Sequence, residues 1–153
     1  MGSKRSLRFL LALVPAVLAV SAQAADYRSV APTEGNAAIL YDAPSKKGVK
    51  RFIIRRYTPV EVVVSLEGWA KVRDAAGGLA WIERACLSDR RTVQVVADRA
   101  EVRQAADANA PLVFEAEKGV ALDWLETAPP GWVRVKHVDG QSGFVRANQV
   151  WGL

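Results

Sequence analysis

Short stretches of the chain alternate between apolar and polar residues with the period of a β-strand. In WAKVR, the side chains of Trp69, Lys71 and Arg73 fall on one face of an extended strand. Val72 falls on the opposite face and is predicted to enter a core. After residue 24, no segment has a helical period over several turns. The pattern therefore predicts an all-β protein.

The same pattern occurs a second time, 63 residues later. The stretch 68–82, GWAKVRDAAGGLAWI, aligns without gaps with 131–145, GWVRVKHVDGQSGFV, so that Trp132 takes the place of Trp69 and Val135 that of Val72. A Gly-containing turn lies in the middle of both stretches, as in a β-hairpin. A repeat period near 60 residues indicates a tandem duplication of a small unit built from short strands.

Upstream of the hairpin, the two copies are expected to differ in loop length. Residues 59–62 align with residues 119–122, which gives the second copy three extra residues, 128–130, before its hairpin. Between the copies, residues 91–97 alternate between apolar and polar positions and are predicted to be a strand-like connector. Such a connector favours two docked units over two freely swinging ones.

The first residues have the pattern of an export signal. A basic start and an apolar run at 9–20 precede small residues that end at Ala24, where a signal peptidase is predicted to cut. The run is short for a membrane span, which needs about 20 residues, and an uncleaved anchor is the alternative. We therefore expect a periplasmic or secreted protein with no stable membrane span after cleavage.

The length after the signal limits the number of domains. About 129 residues remain, enough for one ordinary domain or two very small ones. We predict a signal peptide at 1–24, a first domain at 25–90, the connector at 91–97 and a second domain at 98–153. Cys86 is the only cysteine, so no intramolecular disulfide can form and apolar packing must hold the domains.

Charge excludes one class of partner and points to one loop. The formal charge of +5 falls to about +2 without the signal, which makes the mature protein a poor candidate for nucleic-acid binding. The basic excess concentrates at 46–57, and Tyr41 and Tyr57 accompany it. This aromatic and basic loop suits an anionic polymer or an acidic patch on a partner. The alternative is an ordinary solvated loop.

The tryptophans that open the two hairpins are the main candidates for a binding site. Trp69 is expected beside Lys71 and Arg73, and Trp132 is expected beside Arg134. An exposed aromatic ring next to cations suits a sugar face, a peptide or an acidic group. The alternative is that each ring folds over the edge of its domain and packs beneath a loop.

The sequence lacks the residue sets that are typical of catalysis. Cys86 and His137 are the only residues of their kinds and fall in different copies, so no nucleophile has a base and an orienting group. One Cys and one His also make a poor zinc site. We therefore expect a protein that is not an enzyme, with no catalytic residue, no metal and no cofactor.

Together, these segments resemble bacterial SH3-like domains, specifically exported proteins that carry two of them in tandem. The matching segments are the opening strands AILYDAPS (38–45) and AEVRQAA (100–106), the hairpins GWAKVRDAAGGLAWIERACL (68–87) and GWVRVKHVDGQSGFVRANQV (131–150), and the linking segment LSDRRTV (87–93). The resemblance implies an all-β fold of two small SH3-like barrels after a signal peptide. Cys86 and Gln149 stand where SH3 domains that bind proline-rich peptides have a ligand-contacting tyrosine, which argues against that activity.

The resemblance implies binding rather than catalysis, since such domains commonly target the cell wall or mediate protein contacts in the envelope. The first hypothesis is a module that recognises peptidoglycan, holding a stem peptide or a glycan through the tryptophan and cation faces. The second is an envelope protein-interaction scaffold, in which the exposed edges of the barrels dock a partner or another copy.

Overall fold

The computed structural model describes residues 24–153, so the predicted signal sequence before Ala24 lies outside the described residues. The described chain folds into two antiparallel sheets of seven strands each, and the prediction of two small SH3-like barrels in tandem is confirmed. Among residues 24–153, no helix is long and apolar enough to cross a membrane.

The two sheets have the same strand order. The strands of the first sheet are β1 (Asp26–Val30), β2 (Ala37–Tyr41), β3 (Lys50–Arg55), β4 (Pro59–Ser65), β5 (Trp69–Arg73), β6 (Leu79–Glu83) and β7 (Leu87–Ser88). The strands of the second are β8 (Thr92–Val95), β9 (Arg99–Arg103), β10 (Leu112–Glu117), β11 (Ala121–Thr127), β12 (Trp132–Lys136), β13 (Ser142–Arg146) and β14 (Val150–Trp151). The order is β3-β2-β6-β5-β4-β1-β7 in one and β10-β9-β13-β12-β11-β8-β14 in the other, so the topology itself is duplicated.

Each barrel encloses its own core of small and β-branched side chains. Val72 and Val135, which the alternation predicts inside, are both fully buried, and so are Ile82 in the first core and Leu122 in the second. Alternate residues of a strand point to opposite faces, and β-branched side chains pack well on a pleated surface. The hairpin pattern therefore identifies the core-facing residues of β5 and β12 correctly.

The register of β4 and β11 corrects the alignment expected upstream of the hairpin. Glu61 pairs with Arg73, and Asp123 pairs with Lys136, which occupies the position equivalent to Arg73. Glu61 and Asp123 are therefore equivalent and lie 62 residues apart, so the expected spacing of 60 is wrong. A shift of two residues returns every side chain to the same face of its strand, and both alignments fit the alternation equally well.

Residues 91–97, predicted as a connector, contain β8. This strand pairs with β11 and β14 of the second sheet, as β1 pairs with β4 and β7 of the first. Only residues 89–91 separate β7 from β8. The end of one barrel thus leads almost directly into the first strand of the next.

Candidate functional site

A glycine places each candidate tryptophan at the start of its hairpin. Gly68 and Gly131 precede Trp69 and Trp132 and have φ of 74° and 87°, a region that residues with a side chain rarely adopt. The tight turn that contains Gly68 is closed by a hydrogen bond from the Leu66 amide to the Trp69 carbonyl, at 2.9 Å. The sequence motif Gly-Trp is therefore a turn that delivers the indole ring to the outer face of the sheet.

The first barrel carries an aromatic cluster around Trp69. The rings of Tyr41 and Trp69 meet edge to face, with centroids 5.4 Å apart and planes at 87°. Trp81 pairs with Tyr41 on one side and with Lys71 on the other, and the Lys71 Nζ lies 5.9 Å from the centroid of the Trp81 ring. We call Tyr41, Trp69, Lys71 and Trp81 the aromatic face. The structure thus brings Tyr41, which the sequence placed in a different candidate site, to Trp69 and Lys71, with Trp81 between them.

The aromatic face offers a small surface of mixed character. Trp69, Lys71 and Trp81 are half-buried, whereas Tyr41 is only 6% exposed and supports the Trp69 ring from below. Glu83 pairs with Trp69 across β5 and β6 and forms an ion pair with Lys46 at 3.2 Å. Ring surface, the Lys71 ammonium and the Lys46–Glu83 ion pair therefore lie within one patch, which suits a ligand with both apolar and charged groups.

The equivalent surface of the second barrel has a different chemistry. Phe144 pairs with Arg103, so an arginine stands where the first barrel has Tyr41. The Trp132 ring has the Arg146 guanidinium 4.9 Å from its centroid. Arg103 donates to the Ala110 carbonyl at 2.8 Å and forms an ion pair with Glu101. We call Arg103, Trp132, Phe144 and Arg146 the cationic face.

Two of the cations expected beside the tryptophans are engaged elsewhere. Arg73 of β5 forms an ion pair with Glu61 of β4 at 2.9 Å, and Arg134 of β12 forms one with Glu126 of β11 at 3.1 Å. Lys71, by contrast, lies over Trp81 on the opposite neighbour, β6. The structure thus places Lys71 in the aromatic face and directs Arg73 and Arg134 toward carboxylates on adjacent strands.

Tyr57 lies at the junction between the barrels, apart from the Tyr41 cluster. It has a φ of 69° in the turn between β3 and β4, and its carbonyl accepts a hydrogen bond from the Thr92 hydroxyl at 2.7 Å. The Arg90 guanidinium stacks 4.3 Å from the centroid of its ring. Arg90 also binds Asp123 through two hydrogen bonds, at 2.7 and 2.6 Å, and the bond to Asp123 is the main cause that raises the pKa of Arg90.

The junction contains further residues that the sequence reasoning missed. The Arg91 guanidinium lies 5.6 Å from the ring centroid of Tyr27 and 5.3 Å from that of Trp124. Tyr27 in turn meets Trp151 edge to face at 5.1 Å. We call Tyr27, Tyr57, Arg90, Arg91, Trp124 and Trp151, with Asp123, the junction cluster. A signal existed in the sequence, because Trp124 and Trp151 are tryptophans that the other copy does not repeat.

Cys86 and His137 are placed in different barrels and do not meet. Burial raises the pKa of the Cys86 thiol, and the nearby Glu83 carboxylate raises it further against the opposing effect of Lys46. His137 contacts Asp139 at 3.0 Å and lies against the Phe114 ring. A protonated thiol is a poor nucleophile. Residues 24–153 contain no group of three His, Cys, Asp or Glu side chains that could hold a metal ion.

Comparisons with known proteins agree with the architecture. The family model described as "Bacterial SH3 domain" matches the chain twice, at residues 34–89 and 96–152. No curated protein matches the chain.

Solved structures that match this chain in a structural comparison include NlpC2 and NlpC1 from Trichomonas vaginalis and an NlpC/P60 family protein from Bacillus cereus. Their sequences are 14%, 15% and 16% identical to this chain, and their TM-scores are 0.41, 0.40 and 0.36. The alignments cover 86%, 90% and 82% of this chain. They cover 49%, 51% and 56% of the other chains, so this chain spans about half the length of those structures.

Proposed function

The chain belongs to the bacterial SH3 domain family, and from that premise we propose that it is a non-catalytic binding module of the bacterial envelope that recognises peptidoglycan. The predicted signal peptide supports a periplasmic or secreted location. The separation of Cys86 from His137, and the raised pKa of the Cys86 thiol, support binding without catalysis. No cofactor is required for such a role.

The aromatic face is the observation that carries the proposal. Its rings offer apolar surface to a sugar or to the side chains of a stem peptide, while Lys71 offers a cation to a carboxylate. The Glu83 carboxylate contacts the exposed Lys46 ammonium at 3.2 Å, and a ligand ammonium can bind there in place of Lys46. Peptidoglycan combines sugar rings with short peptides that carry both charges, so its chemistry matches this patch.

The cationic face supports a second contact of a different kind. Arg146 covers part of the Trp132 ring, so this surface presents guanidinium where the first presents aromatic carbon. We expect the cationic face to favour carboxylates and to respond to salt more strongly than the aromatic face does.

Sedimentation with purified cell-wall sacculi tests the proposal. We expect the protein to sediment with sacculi and Trp69→Ala to weaken binding about tenfold, because a stacked aromatic contributes on the order of 1 kcal/mol. Trp69→Phe keeps a ring at the position and should retain most of the binding. Leu125→Ala, a change to an exposed side chain on β11, is the matched control.

The outcomes separate the two function classes. Unchanged sedimentation of both Trp69→Ala and Trp132→Ala would reject the two faces as the binding site. A protein that does not sediment at all would contradict peptidoglycan recognition and favour the envelope protein-interaction scaffold. Circular dichroism of each variant checks that the barrels remain folded.

A further inference from the structure

Strand β3 forms one edge of the first sheet and exposes two large apolar side chains. Phe52 is 60% exposed and Ile53 is 76% exposed. Among the strands of residues 24–153, β3 pairs with β2 alone, so the backbone groups on its other side have no partner strand. Exposed sheet edges of this kind are the sites at which an additional strand can join a sheet.

The equivalent strand of the second barrel, β10, is also an edge strand, but its phenylalanine is packed down. Phe52 and Phe114 are equivalent, since they pair with Leu40 and Val102 at the same position of β2 and β9. Phe114 packs against its core and lies 5.8 Å from the His137 ring, centroid to centroid. The first barrel has the smaller Asp74 at the position of His137, followed by alanines, and leaves the Phe52 side uncovered.

A groove opens beside Phe52 as a result. It has a volume of about 610 Å³, and its walls are mainly apolar. Phe52, Ile54 and Ala75 line it from the first barrel, and Val95 and Lys118 line it from the second. The groove is therefore formed by both barrels and borders β3 at residues 52–54.

The charges around this edge define the partner. β3 carries Lys50, Arg51 and Arg55, and Lys118 stands on the far wall of the groove. In the described part of the chain, Asp74 is the one carboxylate that lines the groove, and it accepts hydrogen bonds from the Ala76 and Gly78 amides. None of these four cations forms an ion pair with a carboxylate of residues 24–153. A segment that joins this edge gains most when it carries carboxylates next to apolar side chains.

We propose that β3 and this groove dock an extended segment of a partner protein in which apolar and acidic residues alternate. The segment adds to the sheet as a strand beside β3. Its apolar side chains enter the groove against Phe52, and its carboxylates meet the cations of β3. The site lies on a different part of the barrel from the aromatic face, so it goes beyond the proposed recognition of peptidoglycan.

Titration of the isotopically labelled protein with a peptide tests the proposal by NMR. The probe is a peptide of about six to eight residues that alternates valine and glutamate, a length comparable with β3. We expect amide shifts in β3 and along the groove and none in β10. The same peptide with lysine in place of glutamate should bind at least about tenfold more weakly, because the cations of β3 repel it.

Variants separate the groove from a general apolar effect. Phe52→Ser and Ile53→Ser should each weaken peptide binding about tenfold, because both remove apolar surface from the edge. Both side chains are largely exposed, so we expect these variants to fold, and their amide spectra check this. Val138→Ser, at a side chain that is 75% exposed on the other barrel, is the matched control and should bind the peptide as the unchanged protein does.

Three outcomes would overturn the proposal. The first is equal binding of the glutamate and lysine peptides, and the second is a set of amide shifts confined to the aromatic face. The third is self-association in sedimentation analysis that Ile53→Ser abolishes while no peptide binds, which would assign the edge to a second copy. We expect sedimentation with sacculi to depend on Trp69 and not on Phe52, so either proposal can fail without the other.

Discussion

At Gly143 the two barrels differ in sequence because the second barrel has no room for a side chain at this position. It precedes Phe144, at the position where the first barrel has Ala80 before Trp81. A Cβ on Gly143 would lie 2.5 Å from the Arg103 carbonyl oxygen and 2.8 Å from Val102 Cγ1. The opening strand of the second barrel therefore comes so close that only glycine fits.

Gly143→Ala should lower the free energy of unfolding by about 1–3 kcal/mol, because the added methyl group has no room beside a backbone carbonyl. Denaturant unfolding measures the change. Ser142→Ala, at the exposed neighbouring position, should change stability by no more than about 0.5 kcal/mol. Equal stabilities of the two variants would contradict the close approach of β9 and β13.

The candidate site was only partly predictable at the residue scale. Alternation identifies the face on which Trp69 and Lys71 lie, and the structure brings Trp69 to Tyr41 and Lys71 to Trp81. It does not identify which adjacent strand a long side chain will contact, and for this reason the ion pairs of Arg73 and Arg134 were not foreseen. Tyr57 is the last residue of the basic loop, yet in the structure it lies at the junction, in a turn where its φ is 69°.

At the scale of elements, the hairpins and their core residues could be predicted because the signal has a period of two. The same periodicity explains the error in aligning β4 with β11, since a shift of two residues preserves every face. Short strands without a distinctive turn give no further constraint on register. Pairing with β5 and β12 supplies that constraint in the folded protein.

Leu122→Ala tests which side chains of β11 face the core. Leu122 is 1% exposed. Its truncation to alanine should lower the free energy of unfolding by about 2–5 kcal/mol, because a cavity remains in the core. Leu125→Ala, at a 41% exposed position of the same strand, should cost much less. Thermal or denaturant unfolding of both variants measures the difference. Similar losses of unfolding free energy in the two variants would contradict the assigned faces.

At the scale of the whole molecule, the junction cluster fixes one barrel against the other. Thr92 and Ser29 are both buried where β8 meets β1, with their hydroxyl oxygens 3.2 Å apart. The alternation at 91–97 predicted a docked arrangement. It could not name the contacts, because they join side chains such as Tyr27 and Trp151 that lie far apart in sequence.

Arg91→Ala should loosen this arrangement. The change removes guanidinium contacts with Tyr27 and Trp124 and a hydrogen bond to the Gly152 carbonyl at 2.9 Å, together about 1–3 kcal/mol. Residual dipolar couplings should report one common orientation for both barrels in the unchanged protein and independent orientations in the variant. Arg99→Ala, at an exposed arginine of β9, is the control and should keep the common orientation. A common orientation in Arg91→Ala as well would contradict the role of the junction cluster.

The near-absence of a linker between β7 and β8 also determines how the protein can use two weak contacts at once. Two binding surfaces on a flexible tether reach ligands over a wide range of separations, at the cost of a low effective concentration. Surfaces held at one separation gain avidity on a polymer only where its repeat matches that separation. If both faces bind the cell wall, the short junction makes binding selective for the spacing of the ligands as well as for their chemistry.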